Sequence, residues 1–387
     1  MSPCLSVSSD RTVRMQQLRV AVVGVGAAGL CAARHIMSRP DTFAPPVAYK
    51  LTEHVGGTWF YEERTGSYDN GLPIHSSMYR DLRTNLPKEV MMFPDFPFDP
   101  QLPSFLPHQE VQIYLREIDA RATASHHTTV VEEVSPVTMA TEEKGPMTKW
   151  EVTSRDNQSD PQSLIPPPRA LLRSVSGGAG ASGLDISLEL GRSNAQVTLS
   201  HGKPTLPFPL PYGVFQATPV VEVQEDGSLQ FQDGSITQAQ VLLLCTGYNF
   251  SYPFLELAKL GLEVQEHLIQ FALAVLEDSE ALPSRAEMEE EAQRELKRKA
   301  ERGVQLKHML KMDKDQWGYA QTLAQTGRFS PLLPVTQSLY EEVWRHVHPQ
   351  NYRQLNDRLI SDTQWEQQEL QAGECRGEAA WSQRRNI

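Results

Sequence analysis

The N-terminal part of the chain alternates between short apolar runs and a stretch with helical periodicity. Residues 18–23 are apolar and rich in β-branched side chains, residues 24–29 are rich in glycine, and residues 30–36 have helical spacing. Residues 45–50 form a second extended apolar segment. A strand, a tight turn, a helix and another strand in this order predict a βαβ unit with parallel strands.

A long segment without periodicity follows before the regular pattern resumes. Residues 56–103 are rich in Gly, Pro, Asn and aromatic side chains, which predicts an ordered loop wrapped over a ligand. Residues 108–118 carry apolar side chains at helical spacing, and residues 128–137 and 149–153 have the pattern of strands. We assign these elements to a first domain, residues 1–154.

A change of composition marks the end of that domain. Residues 155–169 combine short polar side chains with a run of three prolines, which predicts a linker. Beyond it, residues 170–241 form a second α/β domain with a second glycine-rich segment at 178–183. Its predicted elements are a helix at 184–190, a strand at 196–199, and hairpins at Asp226-Gly227 and Asp233-Gly234.

The last third of the chain is helical and charged. Ser284 and Glu287 have the spacing of a capping box, and the dense Glu, Lys and Arg that follow predict a solvated helix face. We assign residues 242–370 to a return to the first domain and a helical C-terminal region. Residues 371–387 have no periodicity and are predicted to be disordered.

Composition and charge exclude several classes of function. The 387 residues carry a formal net charge of −12, which argues against a nucleic-acid partner because phosphate binding needs cationic surface. The cysteines form no C-x-x-C pair, and His346 and His348 have no accompanying ligand motif, so neither a disulfide framework nor a metal is predicted. The cysteines are Cys4, Cys31, Cys245 and Cys375. No apolar run approaches the ~20 residues of a membrane span, and the first sixteen residues lack the apolar core of a signal peptide, so we expect a cytoplasmic protein.

The first glycine segment has the G-x-G-x-x-G spacing directly after a strand and before a helix. In this context Gly24 permits the tight turn, Gly26 lets the backbone approach a pyrophosphate, and Gly29 allows close packing of helix on sheet. The helix N-terminus adds N–H donors and a partial positive charge. The segment therefore predicts a dinucleotide site, with a packing role alone as the alternative.

The second glycine segment repeats this spacing at Gly178, Gly180 and Gly183. Its leading strand, residues 171–176, contains a charge and hydroxyls where a buried parallel strand is normally almost continuously apolar. We predict a second dinucleotide here, and a glycine-rich loop without a cofactor is the alternative.

Five segments together form a highly specific combination. They are residues 24–29, Val-Gly-Gly-Thr-Trp at 55–59, Thr-Asn-Leu-Pro-Lys-Glu-Val-Met-Met-Phe at 84–93, residues 178–183, and Cys-Thr-Gly-Tyr at 245–248. This combination resembles the flavin-containing monooxygenases, particularly the soluble ones related to senecionine N-oxygenase, over most of residues 18–365. The resemblance implies an α/β fold of two Rossmann-like dinucleotide-binding domains, with the NADPH domain inserted in the FAD domain.

The resemblance also implies a reaction and a set of site residues. NADPH reduces FAD, O2 adds to the reduced flavin, and one oxygen atom passes to a soft N or S nucleophile of a small molecule. Asn85 is the implied catalytic residue, whose neutral amide hydrogen-bonds near the flavin N5, and a cap of the turn before Pro87 is its alternative role. The implied FAD site comprises Gly24, Gly26, Ala27, Ala28, Gly29, Gly57, Thr58, Trp59, Thr84, Asn85, Thr246 and Gly247.

The implied NADPH site lies in the second domain. Ser200, His201 and Lys203 follow its second strand, where a 2′-phosphate would lie, so they are candidates for selecting NADPH; ordinary surface placement is the alternative. The full set is Gly178, Gly180, Ala181, Ser182, Gly183, Ser200, His201 and Lys203. Residues 242–244 resemble the strand that precedes the flavin-facing turn Thr246-Gly247, and a purely structural strand end is again the alternative.

The chain departs from the family pattern at three places. The strand before the Val-Gly-Gly-Thr-Trp segment ends in a Glu that receives the FAD ribose in the family, and Lys50 stands there in this sequence. Between Thr153 and Ala170 the family has a strand and an F-x-G-x-x-x-H fingerprint that are missing here, and we expect a second gap between Gln270 and Phe271. The sequence therefore resembles a family member that is shortened internally.

These departures leave two classes of function open. The first is a flavin monooxygenase, and the second is a catalytically impaired or inactive remnant or splice product, or an NADPH oxidase that releases peroxide. The sequence names no substrate, and a homodimer is left open.

Overall fold

A computed structural model of the 387-residue chain describes residues 17–68, 72, 74, 78–122, 124–139, 147–156, 173–177, 180–206, 209–245, 266–277, 284–304, 312, 314–346 and 355–369. The helices are α1 Ala27–Met37, α2 Lys88–Met91, α3 His108–Ala122, α4 Ala181–Arg192, α5 Glu266–Leu276, α6 Arg285–Glu301, α7 Asp315–Thr326 and α8 Pro334–His346. The strands are β1 Ala21–Val23, β2 Val47–Lys50, β3 Ser125–Met139, β4 Met147–Asp156, β5 Arg173–Gly177, β6 Gln196–Ser200, β7 Phe215–Ala217, β8 Val220–Val223, β9 Ser228–Phe231, β10 Ile236–Gln238, β11 Val241–Leu244, β12 Leu355–Leu359 and β13 Trp365–Glu369.

The first sheet confirms the predicted βαβ unit. Its order is β1-β2-β3-β4, in which β1, β2 and β3 run parallel and β4 is antiparallel to β3. Helix α1 buries one face against this sheet and α3 because its apolar side chains recur at helical spacing. The buried side chains of α1 are Leu30, Cys31, Ala33 and Ile36. The core therefore forms directly behind the glycine turn and holds it in place.

The second sheet has the order β11-β5-β6-β7 and is parallel throughout. Strand β5 forms despite its polar sequence because it is paired on both sides, to β11 and to β6, so tertiary pairing overrides its weak local pattern. Helix α4 packs on β6 through Leu188, next to the buried Val197 and Leu199. This is a second parallel α/β unit.

Strand β11 differs from the sequence analysis in its location. Residues 242–244 were assigned to the returning first domain and to a strand that faces the flavin, whereas the structure pairs β11 with β5, with Leu242 opposite Val175. The predicted boundary after Val241 thus falls inside a strand of the second sheet. Within the described residues, β1 has a partner on one side only, and its Val23 is 38% exposed.

The predicted hairpins lie in a small antiparallel sheet of order β10-β9-β8. Asp226-Gly227 and Asp233-Gly234 form its turns, and both glycines have a positive φ, +81° and +85°. Backbone in this region favours glycine because a Cβ would be strained there. The two predicted turns are confirmed.

Helices α5 and α8 and strand β12 pack on the first unit. Helix α5 lies against α1 and α7, while α8 and β12 lie against the short helix α2. Helix α6 begins with the predicted capping box, in which Ser284 accepts from Glu287 N and the Glu287 carboxylate accepts from Ser284 N. The predicted linker from residue 157 onward and the predicted disordered tail lie outside the described residues. In the part of the chain that is described, no helix combines the length and the apolar character needed to cross a bilayer.

Candidate functional site

The first glycine segment forms a tight strand–turn–helix junction. Gly24 has φ +96°, and its N–H donates to the Tyr49 carbonyl oxygen over 2.8 Å, which fastens the turn to β2. A Cβ built on Gly29 would lie 1.9 Å from the Gly24 carbonyl oxygen. Glycine is therefore required at both positions, one by conformation and the other by the close approach of helix to strand.

A second glycine pair lies against this turn. Gly56 N–H donates to the Val25 carbonyl oxygen over 2.8 Å, and a Cβ built on Gly57 would lie 2.9 Å from Gly26 Cα. The two backbones thus approach each other too closely for a side chain at Gly57. The segments that the sequence analysis took as parts of one site, residues 24–29 and 57–59, are brought together by the fold.

Gln112 holds the second glycine pair from the far side. Its Nε2 donates to the Val55 carbonyl oxygen over 2.7 Å from helix α3. Gln112 is not among the site residues predicted from the sequence. The available signal was a polar residue next to Val111 and close to Tyr114, on a helix whose neighbouring positions are buried and apolar.

The surface at the start of α1 is shaped for a diphosphate. Ala27, Ala28, Gly57 and Thr58 are exposed, whereas Trp59 packs against the core of the first unit. The first N–H groups of any helix have no intrahelical acceptors, and among the described residues no side chain caps α1 at Gly26, so these groups are available to a ligand. The diphosphate half of a dinucleotide fits this site.

Lys50 lies at the strand end where the family has the Glu that binds the FAD ribose. It is the last residue of β2, next to the Tyr49 carbonyl that receives Gly24 N–H. Its Nζ donates to the Glu53 carbonyl oxygen over 2.7 Å, and the side chain is half-buried. A cation rather than an acceptor thus faces the end of the sheet where the family has Glu.

The segment that carries Asn85 is anchored on both sides. Thr84 is buried, its N–H donates to the Leu106 carbonyl oxygen over 2.8 Å, and its Oγ1 accepts from Leu106 N over 2.9 Å. Lys88 N–H donates to the Ser104 carbonyl oxygen over 2.7 Å. Asn85 itself is exposed, and among the described residues no hydrogen bond of its side chain supports the turn-cap role.

A buried group of charged side chains lies under this segment. Lys88 Nζ and Glu89 Oε1 are 2.5 Å apart, and both side chains are about 7% exposed. Asp357 from β12 is buried nearby, where its Oδ1 accepts from Gln367 Nε2 over 2.9 Å. The pKa of Asp357 is raised to about 6, mainly by burial and also by the Glu89 carboxylate, while the hydrogen bond from Gln367 and the charge of Lys88 oppose the shift.

Replacing Asp357 by Asn is expected to stabilise the fold at neutral pH by roughly 2 kcal/mol. The folded pKa of about 6 exceeds the ordinary value of 3.8, so the folded state binds the proton more tightly and loses stability as the pH rises from about 4 to about 6. Asn keeps the acceptor for Gln367 and has no charge to ionise. Urea unfolding from pH 4 to 8 measures this, and the gain over the unsubstituted protein should vanish at pH 4. An equal gain at pH 4 and pH 8 would contradict the assigned pKa.

The second glycine segment also precedes a helix that no side chain caps. Gly180 is the N-cap residue of α4 with φ −83°, and a Cβ built on it meets no atom of the described residues within 4 Å. Ala181 is exposed, Ser182 is half-buried and Gly183 is buried. This helix start is therefore open to a ligand. Gly178, Thr246 and Gly247 lie outside the described residues.

The residues predicted to select NADPH have different environments. Ser200 is buried, and its Oγ donates to the Thr218 carbonyl oxygen over 2.8 Å. His201 is also buried, and its ring nitrogens lie 3.1 Å from the Lys203 carbonyl oxygen and 3.2 Å from Gln216 Oε1. These bonds occupy both side chains, which leaves Lys203 as the exposed candidate.

A hydrogen bond connects the two units close to α4. The Tyr79 hydroxyl donates to the buried Asp185 carboxylate, on the second turn of that helix. Tyr79 precedes the Asn85 segment in the first unit. Across the described ranges, no group of three metal-ligating side chains is present.

Comparison with known proteins agrees with this architecture. A family model described as flavin-binding monooxygenase-like matches residues 17–165. The chain is 31% identical over 289 residues to the flavin-containing monooxygenase FMO GS-OX-like 7 of Arabidopsis thaliana, covering 61% of each protein. It is 29% identical over 296 residues to FMO GS-OX5 of the same plant, covering 62% of each. The matched part therefore spans about 61% of the length of such relatives.

Solved structures share the fold over almost the whole chain. The S-allyl-L-cysteine S-oxygenase of Allium sativum has a TM-score of 0.70 at 22% identity, covering 96% of this chain and 99% of that one. Tmm from a Pelagibacter strain has a TM-score of 0.69 at 21% identity, covering 92% and 97%. Together with the glycine turns, these matches establish the two-unit α/β fold. Over residues 17–165 the chain matches the flavin-binding monooxygenase-like family model, and over about 61% of its length it is similar to plant flavin-containing monooxygenases.

Proposed function

We propose that this chain is a flavin-dependent monooxygenase that uses FAD, NADPH and O2 to oxygenate a soft N or S atom of a small molecule. The observation that carries the proposal is the glycine turn of residues 24–29 lying against Gly57 at the open start of α1. The similarity to flavin-containing monooxygenases suggests the reaction class. FAD, when bound, supplies the chemistry that takes electrons from NADPH and reacts with O2.

The residues of the first unit bind and orient the flavin nucleotide in this proposal. The first N–H groups of α1 bind the diphosphate, and Gly26 and Gly57 allow the backbone to approach it. Asn85 offers an amide that both donates and accepts hydrogen bonds without supplying an acidic proton. The bonds of Thr84 and Lys88 hold this segment on either side of Asn85, so the amide is presented from a fixed backbone.

The second unit binds NADPH in this proposal. The open start of α4, with Gly180, Ala181 and Ser182, receives the diphosphate, and Lys203 is the cation that approaches the 2′-phosphate. The Tyr79–Asp185 hydrogen bond joins this helix to the first unit. We further propose a cytoplasmic location, since the four scattered cysteines suit a reducing compartment.

A second candidate function is an inactive or impaired family member, or an NADPH oxidase that releases peroxide. Lys50 favours it, because the acceptor for the FAD ribose is replaced by a cation. The location of β11 in the second sheet also favours it, since β1 then lacks a neighbour on one side within the described residues. The absorbance spectrum of the purified protein, with and without added FAD, and its NADPH consumption distinguish these functions. A colourless protein that leaves NADPH unchanged contradicts the monooxygenase proposal.

Replacing Gly26 by Asp is expected to weaken FAD binding by roughly 100-fold, because it places a carboxylate where the diphosphate binds. The backbone accepts the side chain, since Gly26 has φ −76° and a Cβ there would lie 3.7 Å from Gly57 Cα. Fluorescence titration with FAD measures the change, and circular dichroism checks the fold. The matched control is Gly180→Asp, which should weaken NADPH binding and leave FAD binding within about two-fold. Unchanged FAD affinity in the Gly26 variant would contradict the assignment of the first turn.

A further inference from the structure

Lys50 is built into the edge of the first nucleotide site. It is the last residue of β2, which pairs in parallel with β1 on one side and with β3 on the other. Val23 of β1 lies opposite Tyr49, and Thr128 of β3 lies opposite Lys50. The glycine turn is hydrogen-bonded to Tyr49, directly before Lys50. Lys50 is thus fixed at the carboxyl edge of the sheet, and the residue before it is hydrogen-bonded to the turn that receives the diphosphate.

The surroundings of Lys50 leave its charge available. Its one hydrogen bond in the described part of the chain runs to the backbone carbonyl oxygen of Glu53 over 2.7 Å, which is a neutral acceptor. An ammonium has three donors, so two remain for a ligand. The described residues contain no ion pair to Lys50, and the Glu53 side chain is exposed.

The side chain at the end of this strand determines which ribose is preferred. In dinucleotide folds a carboxylate there accepts from the 2′- and 3′-hydroxyls of a plain ribose, whereas a cation accommodates a 2′-phosphate. FAD has a plain adenosine ribose. A lysine therefore removes an acceptor that FAD uses and adds a partner that only a 2′-phosphorylated nucleotide can use.

We propose that Lys50 makes the first glycine turn a competitive site, at which FAD is an exchangeable ligand and a 2′-phosphorylated adenine dinucleotide competes with it. The proposal rests on the proposed function only in that the first turn binds a dinucleotide diphosphate. Its consequence is that the oxidised or reduced nicotinamide nucleotide with a 2′-phosphate displaces the flavin, so the ratio of the two nucleotides regulates flavin occupancy.

The test uses nucleotides that differ only at the ribose. The background is Gly180→Asp, in which nucleotide binding at the second turn is expected to be weakened. Titration calorimetry there compares adenosine 2′,5′-bisphosphate with 5′-AMP and with the charge-matched adenosine 3′,5′-bisphosphate. We expect the 2′,5′-bisphosphate to bind about 10-fold more tightly than 5′-AMP and more tightly than its 3′,5′ isomer. Adding NADP+ should release FAD, seen as recovery of flavin fluorescence.

Two substitutions attribute the preference to Lys50. In the same background, Lys50→Glu is expected to tighten FAD binding by about 10-fold or more and to abolish the 2′-phosphate preference. Lys50→Gln should abolish that preference with a smaller gain for FAD, since it removes the cation without adding a charged acceptor. Thermal unfolding followed by circular dichroism confirms that both variants fold.

The outcomes separate this inference from the proposed function. Equal affinities for the three adenosine nucleotides, or a preference that survives both Lys50 substitutions, overturns the competitive site while the FAD assignment stands. A 2′-phosphate preference in a protein that binds no FAD supports the inference and contradicts the monooxygenase proposal. A protein that binds none of these nucleotides at the first turn overturns both.

Discussion

Replacing Gly29 by Ala is expected to lower the free energy of unfolding by about 3 kcal/mol or more. The added Cβ would lie 1.9 Å from the Gly24 carbonyl oxygen, 2.9 Å from its carbonyl carbon and 3.2 Å from Val22 Cγ1. Two of these three atoms belong to the backbone, so α1 must move away from β1 to relieve the overlap. Urea unfolding monitored by circular dichroism measures the change, and FAD binding should weaken with it because the turn is displaced.

The matched control is Gly318→Ala. Gly318 lies within α7, it is exposed, and a Cβ there has no neighbour within 4 Å in the described part of the chain. Alanine should stabilise this helix by up to about 1 kcal/mol, since it restricts the unfolded chain and has the higher helix propensity. The two glycine-to-alanine changes therefore have opposite expected signs. A loss below about 0.5 kcal/mol at Gly29 would contradict the close approach of helix and strand.

Replacing Lys88 by Met is expected to lower the free energy of unfolding by about 3–5 kcal/mol, because it leaves the Glu89 carboxylate buried without its cation. Glu89 is 8% exposed, and among the described residues its Oε2 has no hydrogen-bond partner. Asp357 adds a second acidic group close by, whose pKa the Glu89 carboxylate raises. Denaturant unfolding at pH 7 measures the loss, which should be smaller at pH 5, where Asp357 is mostly protonated.

The control for this prediction is the double substitution Lys88→Met with Glu89→Leu. Removing both charges replaces the pair by apolar side chains, so most of the lost stability should return. The double-mutant cycle isolates the interaction of the two side chains from their separate packing. If the double variant is less stable than Lys88→Met alone, the pair is not the source of the loss.

The local parts of the fold were predictable from the sequence. The strand, turn and helix around Gly24–Gly29 and the capping box at Ser284 each depend on residues within one turn of each other, and both are present in the structure. The turns at Gly227 and Gly234 follow the same principle, since a positive φ is encoded by glycine itself.

The partners of the strands were not predictable in the same way. Residues 241–244 are continuously apolar, a pattern that fits a central strand of either parallel sheet, and only the tertiary structure assigns them to β5. Strand β5 shows the converse, because its polar sequence predicts a poor strand while its two neighbours supply the pairing. The local pattern indicates whether a segment can form a strand, but it does not indicate with which strand that segment pairs.

The residues of the candidate site also fall into those predictable from local sequence and those that depend on tertiary contacts. The glycines that approach a diphosphate follow from spacing, whereas Gln112 and the buried Lys88–Glu89 pair depend on elements that are distant in sequence. Charged residues at positions 88 and 89 suggest a surface helix until Asp357 is brought beneath them. Lys50 is an intermediate case. Its position at the end of β2 follows from the motif, whereas its effect on nucleotide binding depends on the groups around its ammonium.

The hydrogen bonds of Ser104 to Asn356 and Asp357 have a consequence for synthesis of the protein. Ser104 N–H donates to Asn356 Oδ1 over 3.0 Å, and Asp357 N–H donates to Ser104 Oγ over 2.6 Å, so the first unit is completed by a strand more than 250 positions later. A ribosome adding about 5–20 residues per second needs on the order of 10–50 s to travel that distance. During this interval the nascent chain lacks the strand that packs on Phe105 and lies against the helix of Lys88, so an apolar and a charged side chain that are buried in the folded protein stay exposed until β12 has been synthesised.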